Sequence, residues 1–474
     1  MAVPHSAFRN LVLRLFLSLI AVAGLWPHFS TQASWLAAAA LAGVIFLLGG
    51  VFLKNRLMWG SISVGLGVVV WLIRAKTRLV VRPEQLLPDV QQVGISLGGL
   101  MLAAIAAIVV VYALARVRTD WRVYGLLILA IAIQIVSSLQ LGSTVRQLSR
   151  HEPGDYSYNF DGIRYLKSFY LLKSGLDWYE ACVESTRVDS RGPFDVPRVV
   201  MNYRLPTLYV LLSFLPNGEW IPVVFVALSC FGMWAVFDVV RHIVTTGGAN
   251  PNHAGLCGVC GALVLSPYLL VGAVTWFYTF HEYWAWFVAV GSVCLLARRQ
   301  YAMAIALGFL SACIREHFLL VPIALSIPIW RSQESRGRFA VCAGWVLLVA
   351  VYIVHVQRAI PFTGQDIGAG TSVWFHQPSL KSIEYSAFFG TGLYPWPRAI
   401  IPVLCAAALL GFRRHKRQWV SICLMGLIAV TVLGYLIVGP AIKSGGYWGI
   451  VYMPWILLGV PLLGGILDEE NQRL

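Results

Sequence analysis

Charged residues are scarce in this chain of 474 residues: Asp, Glu, Lys and Arg make up 12% of it, against 58% hydrophobic residues. Soluble domains carry about 25% charged residues, so a fold that stays in water is excluded. No GxxxxGKS/T, GxGxxG, HExxH or GxSxG motif occurs, which argues against nucleotide-driven chemistry on a soluble domain. The nine cysteines lie mainly inside apolar runs, so a disulfide framework is not indicated.

Long apolar runs are what the sequence has in place of charge. Runs of roughly 18 to 22 residues recur along most of the chain, which is the length that crosses a hydrocarbon core, and the mean hydropathy is +0.72. We predict an all-α fold, a polytopic transmembrane helical bundle of about 12–14 spans. The predicted spans are 10–28, 35–53, 57–73, 93–113, 123–142, 219–241, 254–275, 283–297, a hairpin of two passes within 300–330, 339–356, 398–412, 419–440 and 448–466.

The net charge of +15 comes from short basic clusters between these runs, such as Arg298/Arg299 and Arg413/Arg414. Cytoplasmic loops have this composition under the positive-inside rule, so membrane lipids rather than nucleic acid are the expected partners. Placing the clusters in the cytoplasm leaves two loops, 143–205 and 357–397, on the extracytoplasmic face. The basic cluster at residues 74–82 falls on the wrong side of this scheme. We expect the first loop to be partly helical, with a helix over 161–175 along the membrane surface.

Two regions follow from the distribution of polar residues. Residues 1–121 contain few polar positions inside their runs and are interpreted as an N-terminal accessory transmembrane block. Residues 122–474 carry both loops and the ionisable residues that are candidates for chemistry, so we predict that they form the catalytic transmembrane region. No repeat of fixed period is visible.

Carboxylates early in the first loop are the first candidates for chemistry. Asp155 and Asp161 lie in a stretch rich in tyrosine, and a carboxylate at a membrane surface can act as a general base towards a hydroxyl group. The alternative is that Asp155 caps a turn or that Asp161 caps the following helix.

Ionisable residues at the ends of apolar runs are the second group of candidates. Arg315-Glu316-His317 is flanked by apolar sequence on both sides, where charges are expensive and usually face a cavity or each other. The alternative is an internal pair, Arg315–Glu316 or Glu282–Arg315, that only locks the helices together. Arg204 and Lys443 could each bind an anion, or could anchor or snorkel at the interface.

Taken together, these motifs resemble the GT-C superfamily of polyprenyl-phosphate-dependent membrane glycosyltransferases. The family pattern is an acid early in the first large extracytoplasmic loop, then a Tyr, then Gly-x-x-x-Tyr about a helix later; Asp161, Tyr165 and Gly175-Leu176-Asp177-Trp178-Tyr179 fit it. Three later segments also match: the entry to the next span at 203–209, the outer-turn acid Glu282, and the span that carries Arg315-Glu316. Five predicted spans precede the loop here, and the usual double Pro is reduced to Pro206.

The resemblance implies transfer of a sugar from a polyprenyl-phosphate donor to a hydroxyl of a glycan, lipid or protein acceptor. Such an enzyme would lie in the bacterial inner membrane with its active site extracytoplasmic. No cofactor is required by the resemblance, although some members use a divalent cation. A lipid or glycan transporter (flippase), a lipid-linked oligosaccharide polymerase or ligase, and a scaffold are the alternatives. The implied roles are catalytic for Asp161 and Asp155, phosphate-binding for Arg204, Arg315, Lys443 and His317, and substrate-binding for Glu282, His281, Tyr165 and Tyr447.

Overall fold

The computed structural model of the chain describes residues 123–132, 134–136, 138, 160–187, 203–274, 276–363, 400–415, 418–437 and 449–465. This part of the chain is helical and contains no strand, which confirms the all-α prediction for it. The predicted accessory block 1–121 lies outside the described residues, as do most of the loop 357–397 and more than half of the loop 143–205.

The described helices are named α1 to α13 in chain order. They are α1 (Val123–Val136), α2 (Phe160–Lys173), α3 (Trp178–Arg187), α4 (Thr207–Ser213), α5 (Trp220–Thr246), α6 (Pro251–Val274), α7 (His281–Ala297), α8 (Tyr301–Ile314), α9 (Leu320–Arg331), α10 (Ser335–Ala359), α11 (Ile400–Arg414), α12 (Trp419–Ile437) and α13 (Gly449–Leu457). Short 3₁₀ turns join or extend some of them, at Trp276–Thr279, Glu316–Leu319, Ile360–Phe362 and Pro461–Gly465.

Each apolar run after residue 122 contains a helix. From α5 to α12 the ends lie within about five residues of the predicted ones, whereas α13 ends at Leu457, before the predicted end at 466. The hairpin predicted within 300–330 is the pair α8 and α9. Helix α8 ends because Arg315 has an extended backbone, with φ −148° and ψ 120°, and a 3₁₀ turn then leads into α9. The helix predicted over 161–175 is present as α2.

Two described helices are long and apolar enough, by length and composition, to cross a membrane: Trp220–Thr246, and Ser335–Phe362, which is α10 with its C-terminal turn. Helix α10 is covered least by the rest of the described chain. Its outer face exposes Phe339, Val346 and Leu347, each by more than 60%. A surface this apolar needs a partner or a membrane to cover it.

Helices α5 to α10 alternate in direction, so their ends form two opposite layers. At one end, Arg298 at the C-terminus of α7 binds Asp238 (Nε to Oδ2, 3.0 Å), and Arg241 donates to the Tyr124 hydroxyl. We call this the basic end. The start of α7 and the turn after α8 lie at the opposite end, which we call the site end.

Glycine allows the central helices to approach closely. A Cβ at Gly258 of α6 would lie 2.7 Å from the carbonyl oxygen of Phe237 on α5. A methyl group there would collide with backbone, which cannot move aside as a side chain does. This close pair of helices forms the centre of the bundle and supports α7 beside it.

Candidate functional site

Arg315 is the centre of a group of ionisable residues at the site end. Its side chain is fully buried, and its Nε donates a hydrogen bond to Oε1 of Glu282 at 2.8 Å. The Nη1 atom binds Oε1 of Glu316 as well. Glu282 lies in the first turn of α7, whereas Arg315 and Glu316 follow α8. The charge pair therefore ties the start of one helix to the end of the next.

Arg204 approaches the same carboxylate from a different part of the chain. The backbone carbonyl of Arg204 accepts a 2.8 Å hydrogen bond from the Trp178 indole, which fixes the segment before α4 against α3. The Nη1 atom of Arg204 lies 3.7 Å from Glu316 Oε1, and His317 Nε2 lies 3.6 Å from it. Both distances exceed a hydrogen bond. We call Arg204, Glu282, Arg315, Glu316 and His317 the ion cluster.

The charges of the ion cluster act on each other strongly. Burial alone would raise the pKa of the Glu316 carboxyl, but Arg315, Arg204 and His317 together lower this pKa to about 2. Burial, assisted by Arg315, holds the pKa of His317 well below its usual range. At neutral pH the cluster therefore contains two guanidinium groups, two carboxylates and a neutral imidazole, and its formal charges cancel.

Aromatic rings line the site end beside the ion cluster. Trp178 stacks on Tyr209 with centroids 4.9 Å apart and an angle of 17°, and Tyr165 lies 5.1 Å from the ring of His281. His281 is 1% exposed, and neither ring nitrogen has a hydrogen-bond partner within the described residues. We call Tyr165, Trp178, Tyr209 and His281 the aromatic wall. Both nitrogens of this buried imidazole are therefore available to exchange a hydrogen bond with a ligand hydroxyl.

Three tyrosines fasten the segments around α3 and α4 to the rest of the bundle. Tyr209 donates to the carbonyl of Thr279 at 2.8 Å and Tyr203 donates to that of Phe362 at 2.9 Å. The Tyr179 hydroxyl is hydrogen-bonded to Nδ1 of His355 at 2.8 Å. Burial raises the pKa of both Tyr179 and Tyr203 to about 12, so both hydroxyls are neutral at physiological pH. The described part of the first loop is thus held over the site end.

The structure brings most of the predicted site residues together. Those in the ion cluster or the aromatic wall are Arg204, Glu282, Arg315, His317, His281 and Tyr165. Asp161 lies in the first turn of α2, but its side chain falls outside the described part. Asp155, Lys443 and Tyr447 lie outside the described residues altogether.

The structure bears on two alternatives that the sequence left open: a capping role for Asp161 and a helix-locking role for Arg315. Helix α2 begins at Phe160, so Asp161 is inside the first turn and not at the preceding cap position. Arg315 has the contacts of a helix lock, because Glu282 and Glu316 both bind its guanidinium.

Sequence reasoning considered Glu316 only as a possible partner of Arg315, and it assigned no role to Trp178 or Tyr209. Trp178 and Tyr209 both stand in the motifs that carry the resemblance. The position of Trp178 next to Tyr179 was the sequence signal that could have identified it as a site residue. Glu316 stands between two assigned residues, yet only the fold shows that Arg204 reaches it.

Cation chemistry has limited support in the described part of the chain. Within it, no three His, Cys, Asp or Glu side chains are grouped so that they could hold a metal ion. Both carboxylates of the ion cluster already bind Arg315. The arrangement is better suited to an anion beside Arg204, because guanidinium groups match the geometry of phosphate.

Comparisons with protein-family models, with curated proteins and with solved structures give no match for this chain. The functional hypothesis therefore starts from the geometry of the ion cluster and from the resemblance carried by the sequence motifs.

Proposed function

We propose that this protein is an integral membrane glycosyltransferase of the GT-C type. It transfers a sugar from a polyprenyl-phosphate donor to an acceptor hydroxyl at the extracytoplasmic face, and it resides in the bacterial inner membrane as a polytopic bundle. The observation that carries the proposal is the ion cluster with two arginines, which lies beneath the segment bearing Asp161 and opposite the basic end.

A membrane location is supported by the surface of the bundle. The exposed apolar face of α10 suits contact with lipid tails, and the arginines of the basic end suit the cytoplasmic side. With that orientation the site end faces away from the cytoplasm. A donor with a polyprenyl tail stays in the bilayer, so its reacting phosphate reaches a site at this level.

The leaving group of such a reaction is a phosphate, whose negative charge grows as the glycosidic bond breaks. Fixed cations stabilise that charge in the transition state. Arg204 is the first candidate for the phosphate, because its guanidinium lies beside the more exposed carboxylate of the cluster, with Nη1 3.7 Å from Oε1 of Glu316. Arg315 holds the cluster together, and His317 and Lys443 are further candidates.

Asp161 is proposed as the general base that takes the proton of the acceptor hydroxyl. Positions 161 and 165 are one turn apart on α2 and share a face of that helix. Tyr165 contacts His281 of the aromatic wall, so this face of α2 is turned towards the site end. Aromatic rings and the unbonded His281 imidazole suit the binding of a sugar, with Tyr165, His281, Glu282 and Tyr447 as substrate-binding candidates.

The test is sugar transfer by the Asp161→Asn variant in reconstituted membranes. Loss of a general base lowers the rate by typically 10² to 10⁴-fold, and we expect a loss in this range with unchanged membrane insertion. Glu180→Gln is the matched control, because Glu180 is an exposed acid of the same loop. Retained transfer by Asp161→Asn would refute its role, and Asp155→Asn would then be tested.

The same preparation separates the transferase from a transporter. Movement of labelled lipid between leaflets without sugar transfer, unaffected by Asp161→Asn, would favour the flippase.

A further inference from the structure

Glu316 is the meeting point of the ion cluster. Its Oε1 atom accepts a hydrogen bond from Arg315 and has Arg204 and His317 within 3.7 Å and 3.6 Å. Its side chain is 34% exposed, whereas that of Glu282 is 6% exposed. Glu316 is therefore the carboxylate of the cluster that can move towards solvent.

Two simpler roles fit Glu316 poorly. A general base needs a pKa near the working pH, and the surrounding cations hold this carboxyl at a pKa of about 2. A purely structural role beside Arg315 does not require Glu316, because buried Glu282 also binds that guanidinium, with Oε1 2.8 Å from Nε.

Charge counting shows what a phosphate would meet here. The formal charges of the two arginines and two glutamates cancel within the ion cluster, so a phosphate beside Arg204 adds negative charge next to the Glu316 carboxylate. Like charges within a few ångströms repel strongly where water is scarce. Phosphate and the Glu316 carboxylate would therefore compete for the guanidinium of Arg204, which lies 3.7 Å from Oε1 of Glu316, while Glu282 remains on Arg315.

We propose that Glu316 is an internal competitor for the anion site. Its carboxylate lies beside Arg204, and the phosphate of the ligand displaces it towards solvent. Glu316 is thus a positioning residue that sets phosphate affinity and keeps Arg204 in place between turnovers. This inference rests on the proposed function for the identity of the ligand as a lipid-linked phosphate.

The experiment measures binding by the full-length protein in detergent, with no transfer reaction. Farnesyl phosphate is the probe. Farnesol is the control that has the lipid tail without the phosphate, and inorganic phosphate is the control that has the anion without the tail. For Glu316→Gln we expect farnesyl phosphate to bind at least about fivefold tighter than to the wild type, because a competing charge is gone. Farnesol affinity should not change, and neither should any affinity of Glu180→Gln.

The gain must depend on Arg204. In the background of Arg204→Gln, the Glu316→Gln substitution should no longer tighten binding, as a double-mutant cycle will show. If inorganic phosphate binds as tightly as farnesyl phosphate and shows the same gain, the competitor role stands and the ligand is free phosphate.

Unchanged or weaker binding of farnesyl phosphate by Glu316→Gln would overturn the inference, as would a gain that survives Arg204→Gln. Should Glu316→Gln fail to accumulate, Glu316→Asp shortens the carboxylate by one methylene and should give a smaller gain in the same direction; no gain would refute the proposal. The readout is separate from catalysis: a negative result here leaves the transferase untouched, and loss of the transferase leaves a positive result standing.

Discussion

Arg315 is charged at a position that is sealed from water, and two carboxylates compensate it. Removing one partner of a buried ion pair typically costs about 3–5 kcal/mol, because the other charge stays buried. We expect Arg315→Met to lose stability in this range and the double variant Arg315→Met/Glu282→Gln to recover much of it. Thermal unfolding in detergent measures both.

Arg298 provides the matched control for that substitution. It also binds a carboxylate, Asp238, but its side chain is 45% exposed, and exposed pairs contribute about 0–1 kcal/mol. Arg298→Met should therefore cost little. Equal losses at the two arginines would contradict the interpretation of Arg315 as a helix lock.

The lowered pKa of Glu316 predicts how the free energy of unfolding depends on pH. Its pKa falls from 4.5 to about 2 on folding, so its ionised form stabilises the protein at any pH above 4.5. This contribution is lost as the pH falls from 4.5 towards 2. Unfolding curves over that interval should be less steep in pH for Glu316→Gln than for the wild type; identical slopes would show that the carboxyl is not held by the cations.

At the scale of elements, the sequence predicted the helices well and their meeting points poorly. The length of an apolar run and the polar residues that bound it are local features of the sequence, so the ends of α5 to α12 could be predicted within a few residues. The ion cluster joins residues 204, 282 and 315–317 from three separate elements, and no local pattern encodes that convergence. The Glu282–Arg315 pair was foreseen only as one alternative, and the approach of Arg204 to Glu316 was not foreseen.

The packing of α5 against α6 gives a prediction about glycine. Gly258→Ala places a methyl group 2.7 Å from the carbonyl oxygen of Phe237, so the two helices must separate. Overpacking of this kind costs typically about 1–3 kcal/mol. Thermal unfolding and protein yield should both fall.

Gly426 of α12 is the matched helix glycine, because nothing in the described part of the chain lies within 4 Å of a Cβ there. Alanine is the better helix former by about 1 kcal/mol, so Gly426→Ala should be neutral or slightly stabilising. A loss as large as that of Gly258→Ala would place an unexpected neighbour against α12.

For the whole molecule, the orientation of the bundle is the decisive prediction. Cys182 is a poor labelling site, since burial raises the pKa of its thiol to about 12 and the thiolate is the reactive form. We expect Glu180→Cys, exposed on α3, to react with a membrane-impermeant maleimide added outside intact cells. Ser335→Cys, exposed at the basic end, should react only after the cells are opened.

The wild-type protein gives the background labelling of the natural cysteines. If Ser335→Cys labels from outside and Glu180→Cys does not, the bundle has the opposite orientation, and an extracytoplasmic active site is refuted together with the assignment of the basic end to the cytoplasm.

The shortness of α8 and α9 has a further consequence for the surrounding lipid. Their 14 and 12 residues reach only about 21 and 18 Å, while a bilayer interior is about 30 Å thick. In the proposed orientation, the outer leaflet would thin beside this pair of helices, and water would reach the turn that carries Glu316. A sugar-bearing phosphodiester could then descend to Arg204 while its isoprenoid tail stays among the neighbouring acyl chains.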